Sequence, residues 1–247
     1  MPILLTGGSG RLGSELKALL PTITTPSSTD LDITNVESVR RAVGKYEPDL
    51  IVHAAAYTDV GGAEKKRERC WHVNVEGTRN LVRVASEEGL RFIHISTDYV
   101  FWGDRGGYRE DDTPGPVRNT YALSKLVAEE VVRVLPEHLI IRTSFRPRAW
   151  PYPSAFDDLF TSQDYVDVIA PEVALAIRNF RHIPYDTLHI ATERKSVFDL
   201  AQRRKPEVKH GKRSDASVAL PSDISLDTSR WQTLKSTLLE AERDISV

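Results

Sequence analysis

The sequence predicts an α/β fold with a doubly wound parallel sheet and a small C-terminal lobe. Over roughly the first 145 residues, short apolar runs alternate with amphipathic helical patterns, the order expected of a parallel sheet covered by helices. A glycine-rich run follows the first apolar run directly, where a strand passes into a helix. With 247 residues, 40% of them hydrophobic and 28% charged, the chain is long enough to bury a substantial core.

Five short apolar runs predict the buried strands of the sheet. They lie at residues 3–6, 22–25, 50–54, 92–96 and 139–142. Amphipathic patterns between these runs predict helices at residues 11–20, 36–46, 70–88 and 121–135. In such a sheet, ligands bind at the C-terminal ends of the strands. Candidate site residues are therefore sought directly after each strand.

The glycine-rich run lies between the first predicted strand and the first predicted helix, and reads Thr6-Gly7-Gly8-Ser9-Gly10-Arg11-Leu12-Gly13. Glycines allow a tight turn and a close approach of the backbone to a ligand, and the helix N-terminus offers unpaired N–H groups to a pyrophosphate. Leu16, Leu19 and Leu20 follow at helical spacing. The sequence therefore predicts a dinucleotide site in a Rossmann-type sheet.

The pattern changes after residue 142. We predict an NAD(P)-binding Rossmann domain at residues 1–145 and a small substrate-binding lobe at 146–247, which partly completes the same sheet. Residues 145–160 contain three prolines and several aromatic residues, and predict a loop with short helical turns over the cleft. Further elements are predicted as helices at 171–178, 196–203 and 228–242 and a strand at 187–191. The last helix presents Trp231, Leu234, Leu238 and Leu239 on one face.

Composition narrows the class of protein. A formal net charge of −2 gives no reason to expect nucleic acid as a partner. A single cysteine, Cys70, allows no intrachain disulfide and favours a reducing compartment. We expect neither a signal peptide nor a membrane span, because the first strand begins almost at once and no apolar run approaches about 20 residues. No metal site is predicted, since His53, Cys70 and His72 lack metal-ligand spacing. These features predict a cytoplasmic protein.

Tyr121 and Lys125 form the second chemical motif, Tyr-x-x-x-Lys. Four residues apart on a predicted helix, they share one face. A nearby ammonium lowers the pKa of a phenol from its ordinary value of about 10, which makes the phenol a better acid or base near neutral pH. A tyrosine and a lysine on a surface helix would show the same spacing. Their position after the fourth strand, behind a dinucleotide turn, favours a catalytic role.

Two further strand ends carry candidate residues. Ser96 and Thr97 end the fourth predicted strand, where a hydroxyl could polarise a substrate carbonyl or, alternatively, tie down a loop. The third predicted strand is followed by three small residues, Ala54, Ala55 and Ala56. Alanines let a coenzyme lie against the backbone, although a crowded helix–strand junction would have the same composition.

Together these segments resemble the extended short-chain dehydrogenase/reductase family, and among its branches most closely the dTDP-4-dehydrorhamnose reductase branch. That branch carries a glycine-rich turn of this form, Ala-Ala-Ala-Tyr-Thr (54–58), Asn-Val-Glu-Gly-Thr (74–78), Ser-Thr-Asp-Tyr-Val-Phe (96–101), Tyr-x-x-x-Lys and Arg-Thr-Ser (142–144). The resemblance is dense over residues 1–145 and thin over 160–235. Near the C-terminus, residues 221–227 resemble the branch's Arg-Pro-x-x-Ser-x-Leu-Asp element, with Leu220 in place of its arginine. The chain is also shorter than is usual for the branch after Arg-Thr-Ser.

The resemblance implies an NAD(P)H-dependent reductase of a nucleotide-linked 4-keto-6-deoxy sugar, with a place in dTDP-rhamnose biosynthesis. Tyr121 would protonate the ketone oxygen as hydride arrives from the nicotinamide. Lys125 would hold the nicotinamide ribose and lower the tyrosine pKa, and Thr97 would bind the same oxygen. Asp98 and Tyr99 would contact the substrate. The implied coenzyme residues are Gly7, Gly10, Arg11, Leu12, Gly13, Ser27, Asp32, Ile33, Ala54, Ala55 and Ala56, with Tyr121 and Lys125.

The coenzyme is expected to be NADP(H) rather than NAD(H). An acidic residue for the ribose 2′-hydroxyl would stand about 20 residues beyond the first glycine. That position is Pro26-Ser27-Ser28, without a carboxylate, while Arg11 lies in the turn itself. Hydroxyls and a guanidinium suit a 2′-phosphate. Asp30 would still serve NAD if the strand register slipped.

Other functions of the same family stay open at this point. A 4,6-dehydratase typically has a glutamate where Tyr99 stands, which argues against dehydration. An epimerase usually has small residues and serines in place of Thr97 and Asp98. A non-catalytic, NADP-binding regulatory subunit, resembling the methionine adenosyltransferase β subunit, would not need the Tyr121–Lys125 pair. The branch often forms dimers, so a homodimer is expected.

Overall fold

The computed structural model describes residues 1–216 and 220–245. Its strands are β1 (Ile3–Thr6), β2 (Ile23–Thr24), β3 (Leu50–His53), β4 (Arg91–Thr97), β5 (His138–Thr143), β6 (Phe145–Arg146), β7 (Ser154–Phe156), β8 (Phe160–Thr161), β9 (Asp164–Tyr165), β10 (Thr187–His189), β11 (Lys195–Ser196) and β12 (Lys209–Gly211). Its α-helices are α1 (Arg11–Leu19), α2 (Val36–Tyr46), α3 (Val60–Lys65), α4 (Arg67–Trp71), α5 (Gly77–Glu87), α6 (Thr120–Val132), α7 (Val166–Arg178), α8 (Val197–Gln202) and α9 (Ser229–Ile245). A π-helical turn (His72–Glu76) joins α4 to α5, and short 3₁₀ helices span Asp98–Val100, Phe180–His182 and Arg213–Asp215.

A six-stranded parallel sheet forms the centre, in the order β10-β5-β4-β3-β1-β2. The last residues of neighbouring strands pair with one another, Thr6 with His53 and Thr97 with Thr143, so the C-terminal ends meet at one edge. The strand order reverses between β1 and β3. In open α/β sheets such a reversal opens a crevice for ligands. The predicted Rossmann-type sheet is confirmed.

Helices cover both faces of the sheet, which confirms the doubly wound architecture. On one face α1, α7 and α9 bury an apolar cluster that includes Leu16, Val173 and Trp231. On the other face α2, α5 and α6 bury Val39, Leu81 and Val132, among other side chains. The predicted apolar face of the last helix is confirmed, since Trp231 and Leu238 are buried and Leu234 and Leu239 pack against the same cluster.

Side chains cap the N-termini of several helices. Asn35 accepts hydrogen bonds from the backbone N–H groups of residues 37 and 38, and α2 begins at the next residue. Asn119 accepts one from Ala122 N (2.8 Å) at the start of α6. This second cap matters for the site, because it begins the helix one residue before Tyr121.

The segment after β5 departs from the prediction. Short strands lie within 145–160 where helical turns were expected, because prolines at 147, 151 and 153 disfavour a helix. These strands pair with distant residues, as β6 pairs with β9, β7 with β12 and β8 with β11. Helix α7 begins five residues earlier than predicted, so Pro171 lies inside it. Buried packing of Val166 and Ile169 against the sheet stabilises this first turn despite the proline.

The predicted C-terminal lobe contributes to the sheet and also has an apolar cluster of its own. Strand β10 extends the sheet beside β5. Trp150, Ala155, Leu159, Phe198 and Val208 belong to the separate cluster. A division of the chain at residue 145 stays a prediction, and residues 217–219 and 246–247 of that lobe lie outside the described part. Within the described ranges, no helix has the length and apolarity needed to span a bilayer.

Candidate functional site

The C-terminal ends of β1, β3, β4 and β5 open into a cavity of about 1380 Å³. Pockets for one small ligand measure roughly 300–1,000 Å³, so this cavity has room for a coenzyme and a second ligand. Its lining includes these residues predicted as site residues: Gly7, Gly10, Arg11, Leu12, Gly13, Asp32, Ile33, Ala54, Ala55, Ala56, Thr97, Asp98, Tyr99, Tyr121 and Lys125. Five separate stretches of sequence therefore meet at one surface.

Ser27 is the exception among the predicted residues. Its hydroxyl contacts Thr29 Oγ1 and Asp30 Oδ2, each at 2.7 Å, while its neighbours Pro26 and Ser28 line the cavity. The structure thus places Ser28, rather than Ser27, on the wall. Asp32 also lines the cavity, and its carboxylate accepts hydrogen bonds from the backbone N–H (2.9 Å) and hydroxyl (2.7 Å) of Thr34.

The glycine turn packs too closely to admit side chains. Gly7 adopts φ +76°, a left-handed conformation that favours glycine. A methyl group on Gly13 would lie 2.1 Å from the Gly7 carbonyl oxygen, so the first turn of α1 presses directly on the loop. No side chain caps α1. No side chain therefore accepts hydrogen bonds from the first N–H groups of α1, which lie beside the cavity. Such a helix N-terminus is suited to binding an anion.

The end of β4 places Thr97, Asp98 and Tyr99 on the cavity wall. The Thr97 hydroxyl donates to Asp98 Oδ1 (3.0 Å) and accepts from Tyr99 N (3.2 Å). Burial raises the pKa of Asp98 to about 6, although the hydroxyls of Thr97 and Ser144 oppose that shift. The carboxyl group of Asp98 therefore changes charge near neutral pH.

Tyr121 and Lys125 both line the cavity and are both buried. The Lys125 ammonium donates to the Ile95 carbonyl oxygen (2.7 Å) and to Nε2 of His94 (3.0 Å). Burial lowers the pKa of Lys125 to about 8, against the opposing charge of Glu129. The lysine is thus held against β4.

The expectation that Lys125 lowers the pKa of Tyr121 is wrong for this structure. Burial raises the pKa of Tyr121 above its ordinary value, and the hydrogen bond with Thr97 only partly opposes the rise. The four-residue spacing correctly predicts that both residues lie on one helix. It does not predict the burial of the phenol, which raises the pKa. The phenol therefore stays protonated throughout the neutral range.

Sequence reasoning missed the groups that hold these residues in place. Asn74, on the π-helical turn, accepts from Tyr57 N (2.7 Å) and donates to Ser124 Oγ (2.9 Å). Ser124 in turn donates to the Tyr121 carbonyl oxygen (2.7 Å). This chain of bonds fixes the loop after β3 to the start of α6. Asn74 lies in the 74–78 motif, and π-helical turns are frequent at functional sites.

His94 was also missed. Burial lowers its pKa well below the ordinary value, so the ring is neutral. Because Nε2 accepts from Lys125, the ring proton lies on Nδ1, which is buried without a partner. Cys70 is buried. Among the residues that the structure describes, no three potential metal ligands cluster.

Comparisons with known proteins agree with this geometry. The family described as RmlD substrate binding domain matches residues 1–170. The dTDP-4-dehydrorhamnose reductase of Mycobacterium tuberculosis is 36% identical over 177 residues, which are 68% of this chain and 54% of that protein. The chain thus spans about half the length of the curated relatives it matches.

Two solved structures extend the similarity over nearly the whole chain. A hypothetical dTDP-4-dehydrorhamnose reductase from Sulfolobus tokodaii is 31% identical, with a TM-score of 0.82 and 94% of each chain covered. The dTDP-4-dehydrorhamnose reductase of Bacillus anthracis, solved in complex with NADP, is 28% identical, with a TM-score of 0.82 and coverage of 97% of this chain and 100% of that one.

Proposed function

This chain belongs to the RmlD substrate binding domain family, and from that premise we propose that it is an NAD(P)H-dependent reductase of a nucleotide-linked 4-keto-6-deoxy sugar. One observation carries the proposal. A single cavity joins an uncapped, glycine-lined helix N-terminus to a buried tyrosine hydroxyl beside Thr97. The first feature suits the diphosphate of a dinucleotide and the second suits protonation of a carbonyl oxygen.

The residues present fit a nicotinamide coenzyme. Gly7, Gly10 and Gly13 leave room for its diphosphate at the turn, and Ala54, Ala55 and Ala56 would lie beneath it. The Lys125 ammonium would bind the hydroxyls of the nicotinamide ribose. A bound, reduced coenzyme supplies the hydride for the ketone carbon.

The protein would supply the proton and the polarisation. Tyr121 would donate its phenolic proton to the ketone oxygen as negative charge develops there. Because burial raises its pKa, the phenol carries this proton at neutral pH. The Thr97 hydroxyl would turn from Asp98 to donate to the same oxygen. Asp98 and Tyr99 would line the sugar.

Turnover tests this function directly. The pure protein is incubated with NADPH and dTDP-4-keto-6-deoxyglucose, and the absorbance of the reduced coenzyme is followed. We expect the absorbance to fall only when both compounds are present. Tight NADPH binding without any oxidation would contradict the reductase and favour a regulatory subunit.

Gly13→Ala is expected to impair coenzyme binding. The added methyl group would meet the Gly7 carbonyl at 2.1 Å, so the turn must shift and the protein lose about 1–3 kcal/mol of unfolding free energy. NADPH titration and denaturant unfolding measure the two effects. The matched control is Gly44→Ala, where no atom lies within 4 Å and the helix should gain about 0.5–1 kcal/mol. Wild-type NADPH affinity in Gly13→Ala would contradict the proposed role of the turn.

NADP(H) is proposed as the preferred coenzyme. Arg11 is exposed on the cavity wall, and the segment Pro26-Ser27-Ser28 contains no carboxylate that would bind a ribose 2′-hydroxyl. The Bacillus anthracis relative was solved in complex with NADP and other structural neighbours in complex with NAD, so the proposed preference rests on these residues.

Arg11→Gln should therefore weaken NADPH binding about tenfold, the size of one lost charge-assisted hydrogen bond, and leave NADH binding unchanged. Both affinities are measured by fluorescence titration. Lys17→Gln removes another cation of α1 that does not line the cavity, and should change neither affinity. Equal losses for NADPH and NADH in Arg11→Gln would contradict a role in reading the 2′-phosphate.

A further inference from the structure

Arg146 and Trp150 present two unpaired hydrogen-bond donors to the cavity, beyond the residues that motifs identify. Nε of Arg146 and Nε1 of Trp150 are both buried without a hydrogen-bond partner, and both residues line the cavity. The Trp150 side chain is 7% exposed. The Arg146 guanidinium carbon lies 5.5 Å from the centre of the Trp150 ring, so the two donors are neighbours.

Unpaired buried donors are unusual, because a buried N–H without an acceptor destabilises the folded protein. A nearby arginine on the same segment shows the ordinary outcome. Arg148 binds the Glu15 carboxylate through two hydrogen bonds of 2.8 and 2.7 Å. Arg146 takes part in no salt bridge with the residues that the structure describes. Arg146 and Trp150 thus line the cavity while each keeps one N–H group without a partner.

The chemistry of this pair defines its ligand. Both groups only donate, and one is a cation, so they suit an acceptor-only anion such as a phosphate. Arg146 also lies near Asp98 and Tyr99, since its charge acts on the pKa of both. The pair therefore borders the place where the sugar would lie, next to Asp98 and Tyr99. This step rests on the proposed function, in which the diphosphate is the charged group of the substrate.

We propose that Arg146 and Trp150 bind the diphosphate of the nucleotide-linked sugar, through Nε of Arg146 and Nε1 of Trp150. The cavity then holds two diphosphates at separate places: the coenzyme's at the N-terminus of α1 and the substrate's on the segment after β5. This assignment makes Arg146 a specificity-determining residue, which selects nucleotide-linked sugars over free sugars.

Binding of thymidine diphosphate tests the proposal. Calorimetry on NADPH-saturated protein gives the affinities of thymidine diphosphate and thymidine for the wild type, Arg146→Gln and Trp150→Phe. We expect Arg146→Gln to weaken diphosphate binding at least about tenfold and Trp150→Phe to weaken it about threefold to tenfold. Thymidine binding should not change, which also shows that the variants are folded. Arg148→Gln, the matched control, should bind both compounds like the wild type.

Several results would overturn the proposal. Equal losses for thymidine and its diphosphate would make Arg146 a residue that only shapes the pocket. An unchanged diphosphate affinity in Arg146→Gln would assign the diphosphate elsewhere. The assay with the keto sugar distinguishes the diphosphate site from the reductase activity. Reduction with an unchanged KM in Arg146→Gln contradicts the diphosphate site and leaves the reductase intact. Arg146-dependent binding of thymidine diphosphate without reduction supports the site and contradicts the reductase.

Discussion

Replacing Tyr121 with phenylalanine is expected to lower sugar reduction by about 10²- to 10⁴-fold, the range for loss of a general acid. The change removes one hydroxyl and keeps the ring, which packs with Ala63 and Cys70. NADPH affinity should therefore stay nearly the same. The expected signature is a loss of kcat without a loss of coenzyme binding.

Steady-state kinetics and NADPH titration together check this result. Tyr185→Phe is the matched control, because Tyr185 is 41% exposed and does not line the cavity. It should turn over like the wild type. A large fall in NADPH affinity in Tyr121→Phe would instead assign the hydroxyl a structural role, and full activity would remove it from the mechanism.

Lys125→Met is expected to reduce both turnover and coenzyme affinity. The methionine fills much of the same space but cannot donate to Ile95 O, to His94 Nε2 or to a ribose hydroxyl. Loss of hydrogen bonds from a charged donor corresponds to about 1.5–3 kcal/mol, so NADPH should bind roughly tenfold or more weakly. This double loss distinguishes the lysine from Tyr121.

The pH dependence of activity provides a second test of the role of Lys125. Burial lowers the pKa of Lys125 to about 8, so the side chain is an ammonium below that pH and a neutral amine above it. Activity that depends on the ammonium should fall as pH rises through about 8. Tyr121 cannot cause this fall, because its pKa is raised. The alkaline limb should disappear in Lys125→Met, and its persistence there would contradict the assignment.

Local patterns predicted the elements that lie next to each other in both sequence and space. Strand β1 and helix α2 have the predicted bounds, because a short apolar run and a capped amphipathic helix are encoded within a few residues. The motif residues also converge on one cavity, since the carboxyl ends of parallel strands share one edge. Ser27 was misplaced by a single residue, because its hydroxyl is held by Thr29 and Asp30 within a local turn.

Other features depend on contacts that no local pattern reports. The short strands β6, β7 and β8 exist through pairing with residues 19 to 55 positions away, as in the pairs Phe145 with Asp164 and Ser154 with Lys209. The raised pKa of Tyr121 comes from burial by neighbours on other elements. Arg146 lies in the proline-containing segment 145–160, and only the folded cavity reveals its unpaired donor.

The proposed function requires hydride transfer, within this cavity, from a nicotinamide to a sugar ketone. The most direct measurement uses NADPH carrying deuterium at both C4 positions, with dTDP-4-keto-6-deoxyglucose as the acceptor and mass spectrometry of the sugar product. We expect one deuterium on the former ketone carbon for each NADPH oxidised. A product without deuterium, or bound NADPH that is never oxidised, would contradict it.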